Sequence, residues 1–171
     1  RQVRAMGRNS RGVRGIETRR GEDPCDDVVG MAVVSLDSKE ELLTVCEHGY
    51  GKRTDLSEYR VQHRGGMGLI TIKMNQRNGK VVSVKPVADE DHLMLITNRG
   101  KLIRIAVDSI STLGRNTMGV RLIRLADDEE VVGVERLADK ESVTAELQEP
   151  PPQSIVPGPY VPESEDNGED S

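Results

Sequence analysis

Three short phrases in this chain place an Arg four residues ahead of a Gly and then run into apolar residues. They are Met6-Gly7-Arg8-Asn9-Ser10-Arg11-Gly12-Val13-Arg14-Gly15-Ile16, Gln62-His63-Arg64-Gly65-Gly66-Met67-Gly68-Leu69-Ile70 and Gly114-Arg115-Asn116-Thr117-Met118-Gly119-Val120-Arg121-Leu122-Ile123. An Arg side chain supplies charged donors, and a neighbouring Gly lets the backbone N–H approach an anionic oxygen as well. Such a loop, recurring once per structural unit, reads as a device for holding a backbone. A blade-to-blade structural role is equally natural for a recurring Arg. The Gly spacings 7 to 12 and 114 to 119 lack the Gly-Lys-Ser/Thr ending of a P-loop. His48, His63 and His92 show no spacing suited to a metal or a nucleophile. Cys25 and Cys46 read as reduced, partly buried thiols.

Charge is unevenly spread. The formal net charge is −5, but residues 1–138 carry 23 Lys and Arg against 20 Asp and Glu, a balance of +3. Residues 139–171 carry 1 against 9, a balance of −8. A mildly basic body with an acidic tail is a recognised sign of a nucleic-acid binder. There is no Trp or Phe, and the tyrosines are Tyr50, Tyr59 and Tyr160. Single-strand binders stack bases on aromatic rings, so contact to a duplex backbone is the expected mode. Phosphate contacts are expected from Arg8, Arg11, Arg14, Lys52, Arg53, Arg60, Arg64, Lys73, Arg99, Lys101, Arg104, Arg115 and Arg121. Lys52-Arg53 and Lys101 to Arg104 are favoured because they fall on predicted outer strands. Bending cost rather than base-edge contact would choose the site.

The elements that position these residues read as strands. Val28 to Leu36 is β-branched and bounded by polar turns. Leu42 to Cys46 and Tyr50 to Thr54 form a hairpin across Glu47-His48-Gly49. Leu69 to Met74 alternates, with Ile70, Ile72 and Met74 on one face. Asn78-Gly79 predicts a hairpin to Lys80–Val87, and Pro86 marks that strand's end or a sheet edge. The hairpin pattern returns at Leu93–Thr97 and Lys101–Val107, offset by 51 residues, since Gly49 aligns with Gly100, Arg64 with Arg115 and Gly68 with Gly119. Val120–Leu125 and Val131–Leu137 complete that unit. A period of about 50 residues with four strands per unit is a propeller-type repeat. The chain holds about two and a half repeats: a partial blade at 1–36, a blade at 37–92 and a blade at 93–141. Residues 142–171 are Pro-rich and acidic, lack the apolar content to offset ordering entropy, and are expected to be disordered. Tethered near a basic surface, they are expected to compete with DNA. No apolar run approaches the roughly 20 residues of a spanning helix, and no signal peptide opens the chain. A cytoplasmic, nucleoid-associated protein is expected.

Laid out this way, residues 1–138 resemble the end of the C-terminal domain of the bacterial DNA gyrase A protein. The resemblance is carried by Arg4-Ala5-Met6-Gly7-Arg8 with Gly12-Val13-Arg14-Gly15-Ile16, by Gly49-Tyr50-Gly51-Lys52-Arg53-Thr54, and by Gly114 to Val120 with Leu122-Ile123-Arg124. It implies an all-β pinwheel, a propeller-like disc whose blades exchange strands. It implies duplex DNA wrapped around a basic rim in support of ATP-dependent negative supercoiling. The family's box, Gln-basic-Arg-Gly-Gly-basic-Gly, is echoed by Gln62 to Gly68 at five of seven positions, with His63 and Met67 in place of basic residues. The implied partners are duplex DNA, the remainder of gyrase A, and gyrase B. ATP and Mg²⁺ are implied only for the holoenzyme; no cofactor, cleavage tyrosine or ATP site is expected in this chain. The related readings are the corresponding C-terminal domain of topoisomerase IV and a propeller-like protein-interaction module.

Overall fold

The two hairpins form where the alternation and the Gly turns place them. β1 (Glu41–Cys46) and β2 (Tyr50–Asp55) pair antiparallel across a turn closed by Gly49 at φ +75°. β4 (His92–Thr97) and β5 (Leu102–Ala106) pair in the same way across Gly100, also at φ +75°. A computed structural model describes residues 3–18, 26–35 and 37–137. Cys25, the acidic tail and the end of the last repeat lie outside the described residues. No helix among those described is long and apolar enough to cross a membrane.

The pairing of the remaining strands departs from the sequence expectation. β3 (Val81–Val87) joins β1, not residues 69–74, and forms the sheet edge that Pro86 suggests. The turn before it is not a two-residue hairpin. Gly79 N–H donates to the Asn75 carbonyl at 2.9 Å. The buried Asn78 amide donates to the carbonyls of Lys73 and Met118. This pins the turn to the following repeat and leaves 69–74 outside any ladder. Its expected apolar face also breaks up: Ile72 is buried, whereas Ile70 is 65 % and Met74 58 % exposed. Residues 28–35 form no strand either. In each complete repeat the corresponding strand pairs with the first strand of a hairpin (β3 with β1, Val131–Leu137 with β4), and the described residues hold no such hairpin for 28–35.

The fourth strand of the first sheet comes from the next repeat. β6 (Val120–Arg121) pairs with Tyr50 and Gly51, so the order is β3-β1-β2-β6. The second sheet runs β5-β4-β7, with β7 at Val131–Leu137. The segment leading to β6 covers the rest of the β2 edge. Arg53 N–H donates to the Ser111 carbonyl, Leu113 N–H to the Arg53 carbonyl, and Leu122 N–H to the Gly49 carbonyl. Strand edges left unpaired are reactive toward other strands, and here one repeat closes the edge of its neighbour. This is the strand exchange that the pinwheel resemblance implies.

An apolar core lies between the sheets. Leu43, Val45 and Val87 of the first meet Leu93, Leu95, Val131 and Val134 of the second, with Val107, Ile110 and Ile123 from the connections. A four-stranded sheet cannot bury both faces alone, and stacking does it. Cys46 is buried there, and burial pushes its thiol up to about 11, the setting of an unreactive cysteine.

Two glycines set the strand crossing. Gly119 sits at φ +77°, and a Cβ on it would stand 2.6 Å from the Gly51 carbonyl oxygen. Gly100 has nearly the same φ but open space around it. Gly100→Ala should therefore cost only the left-handed strain, about 1–2 kcal/mol. Gly119→Ala should cost distinctly more in chemical denaturation, because backbone must also move. Equal losses would show that the close approach does not matter.

Candidate nucleic-acid interface

The recurring Arg residues tie successive Arg/Gly loops together. Arg64 donates through a terminal guanidinium nitrogen to the Arg14 carbonyl at 3.3 Å, and Arg115 does the same to the Ile70 carbonyl at 2.9 Å. These contacts are equivalent by repeat alignment. Two backbone bonds repeat with them: Glu17 N–H to the Gly66 carbonyl and Lys73 N–H to the Thr117 carbonyl, both 2.8 Å. Arg115 also stands 5.8 Å over the Tyr59 ring, and its backbone N–H donates to a Glu58 carboxylate oxygen. The structural role weighed for the recurring Arg is thus present for Arg64 and Arg115. Arg8 has no partner of this kind among the described residues.

Lys52 and Arg53, favoured from sequence as phosphate contacts, are turned inward. Lys52 is fully buried, and its ammonium donates to the carbonyls of Gly114 and Arg115 and to Thr117 Oγ1. Desolvation lowers its pKa from the ordinary lysine value. The β1–β2 hairpin thereby clamps the third Arg/Gly loop. Arg53 is buried as well. Its Nε donates to the Ile110 carbonyl at 2.8 Å, and its guanidinium pairs with Glu41 and Asp89. Outer-strand position alone misled the expectation, because β2 is covered by the next repeat and faces no solvent edge.

Of the other candidates, several are neutralised. Arg14 pairs with Glu17 at 2.6 Å, Arg99 with Asp128, and Lys101 with the buried Glu129 at 2.7 Å. Glu129 also accepts from the Thr97 hydroxyl at 2.9 Å and the Ala126 N–H. Arg8, Arg11, Arg60, Lys73, Arg104 and Arg121 are exposed, without a carboxylate partner among the described residues. Arg77 and Arg124, which the sequence did not single out, share this state. Arg124 lies in the phrase Leu122-Ile123-Arg124 and was within reach of sequence reasoning. Arg77 donates to the hydroxyl of Tyr50, a partner 27 residues earlier that no local pattern marks. Arg121 on β6 and Arg104 on β5 occupy the outermost strands of their sheets.

Two buried ionic groups make testable contributions. Lys52→Met should take its donor from the Arg115 carbonyl and leave the Gly114 carbonyl with only the Thr117 hydroxyl, lower stability by about 1–3 kcal/mol, and speed amide exchange across residues 114–119. Unchanged exchange there would refute the clamp. The Glu129 carboxyl is held down to about 2 from 4.5, chiefly by the Lys101 ammonium. A carboxylate depressed on folding stabilises fully above its unfolded pKa and loses that contribution as pH falls. Stability should therefore drop between about 4.5 and about 2, and Glu129→Gln should flatten that limb of a pH–denaturation profile.

Comparison with known proteins supports the same grouping. Residues 1–35, 40–88 and 91–138 match the family model described as DNA gyrase C-terminal domain, beta-propeller. The chain is 47 % identical over 133 residues to the DNA gyrase A protein of Haloquadratum walsbyi, covering 78 % of this chain and 15 % of that protein. It is 44 % identical over 159 residues to the Haemophilus influenzae gyrase A protein, covering 80 % and 18 %. The chain thus spans under a fifth of the length of the curated relatives it matches. A solved DNA gyrase A C-terminal domain superposes with a TM-score of 0.67 at 29 % identity, over 80 % of this chain and 45 % of that one. A topoisomerase IV C-terminal domain superposes with a TM-score of 0.73 at 21 % identity, over 85 % and 45 %, a likeness of fold. The chain belongs to the DNA gyrase C-terminal domain family of β-propeller proteins.

Proposed function

We propose that this chain binds and wraps duplex DNA without reading its base sequence, as the C-terminal part of a gyrase A protein. In this role it is an accessory to ATP-dependent negative supercoiling carried out with the remainder of gyrase A and with gyrase B. The carrying observation is the exposure of arginines without carboxylate partners on the outermost strands, Arg104 on β5 and Arg121 on β6. Wrapping needs many modest contacts along a curved face. Arginines free of acid partners can neutralise phosphates and release counterions. The scarcity of aromatic rings leaves little for stacking on single strands.

The test is relaxation of closed circular DNA by a topoisomerase in the presence of increasing protein. A linking-number change that grows with protein is expected, and it should fade as salt rises. Binding without that change would refute wrapping. Salt-insensitive association, or no association, would refute the phosphate-contact mode altogether.

A further inference from the structure

We infer that Tyr50 is the positioning residue of a phosphate-binding subsite formed by Arg77 and Arg121 on the outer edge of the first sheet, with Arg124 beside them. The subsite would take one phosphodiester of the duplex, so it rests on the reading of function given above.

The geometry around Tyr50 is unusual for a structural tyrosine. Arg77 Nε donates to the phenol oxygen at 2.9 Å, and Arg121 donates to the same oxygen through NH2 at 2.9 Å and Nε at 3.2 Å. The two guanidinium carbons lie 5.0 and 5.5 Å from the ring centroid. Two positive groups are thus gathered onto one neutral oxygen. No carboxylate pairs with Arg77, Arg121 or Arg124 among the described residues. A phenol oxygen has two lone pairs and one hydrogen. Both lone pairs are taken by the arginines, and the hydroxyl hydrogen has no acceptor among the described residues. The guanidinium N–H groups not donated to Tyr50, together with its O–H, thus have no carboxylate to accept from them among the described residues. An oxyanion with several acceptor lone pairs completes such a set.

The surroundings agree. Tyr50, Arg77, Arg121 and Arg124 line an open depression of about 390 Å³. The other titratable groups facing it are His48, Asp127 and Glu129, and Glu129 is already committed to Lys101 and Thr97. Hydrogen bonds from Arg121 and then Arg77 hold the phenol below its ordinary pKa, the mark of a positive field. The repeat does not require this arrangement. The position equivalent to Tyr50 at the 51-residue offset is Lys101, which meets a buried acid instead. Where the second repeat neutralises its corner, the first leaves an excess of positive charge at the strand that closes the sheet.

The experiment measures binding of a fluorescent duplex to the full chain over a range of salt, with Arg77→Gln, Arg121→Gln and Tyr50→Phe. Each Arg substitution should weaken binding by about tenfold at low salt and flatten the salt slope by about one counterion. Tyr50→Phe keeps the charges, so its slope should stay near that of the unsubstituted chain while affinity falls. Combining Tyr50→Phe with either Arg substitution should be less than additive. Tyrosinate absorbance supplies a readout that needs no substitution. One tyrosine step should fall below the ordinary tyrosine range, Tyr50→Phe should remove that step, and bound duplex should move it to higher pH by neutralising the guanidiniums. Duplex binding by the unsubstituted chain with unchanged affinity and slope in both Arg variants, or a tyrosine titration that duplex does not move, would overturn the subsite alone. Absence of any duplex binding would overturn the functional reading with it.

Discussion

The first sheet is completed by chain that belongs to the following repeat, and most other features follow from that closure. β2 would otherwise present a full row of unpaired N–H and C=O groups. The segment from Ser111 to Leu122 satisfies them, first alongside Arg53 and then as β6 against Tyr50 and Gly51. The approach is so close that Gly119 has no room for a Cβ, which would lie 2.6 Å from the Gly51 carbonyl oxygen. Backbone density, more than side-chain packing, sets the crossing.

Covering β2 on its edge and on both faces forces its polar residues to find partners inside. Lys52, Arg53 and Thr54 are buried together, and each turns to carbonyls of the following repeat: Gly114 and Arg115, Ile110, and Leu113. A buried charge without such bonds would be strongly destabilising. The same partners make the bonds specific, since they exist only when the next repeat is docked. Polar burial here serves to register one repeat on its neighbour. Arg64 and Arg115 do comparable work between successive Arg/Gly loops.

The cations therefore divide by where closure leaves them. Those under the covering segment hold the repeats together. Those near acidic turns, Arg99 and Lys101, are neutralised by Asp128 and Glu129. Those on the outermost strands and in the turns beside them keep their charge facing solvent. The guanidiniums of Arg77 and Arg121, gathered on the Tyr50 hydroxyl, belong to the last group.

Much of this was legible in the chain itself. The alternation and Gly turns of 42–54 and 93–107, the offset of 51 residues and the edge position of Pro86 are local or periodic features, and local backbone preferences write them directly into the sequence. The recurring Arg/Gly phrases, too, announced equivalent loops in successive units. Strand partnership was not legible. Residues 69–74 alternate as well as any strand here, yet they lie outside every ladder, because a ladder needs a partner that alternation cannot name. The fates of Lys52, Arg77 and Arg121 were likewise undetermined, since their partners lie 27 to 71 residues away. Sequence alone determined the unit and its period. Only the tertiary structure decided which strand closes which sheet, and hence which arginines are consumed by the fold and which remain outside it.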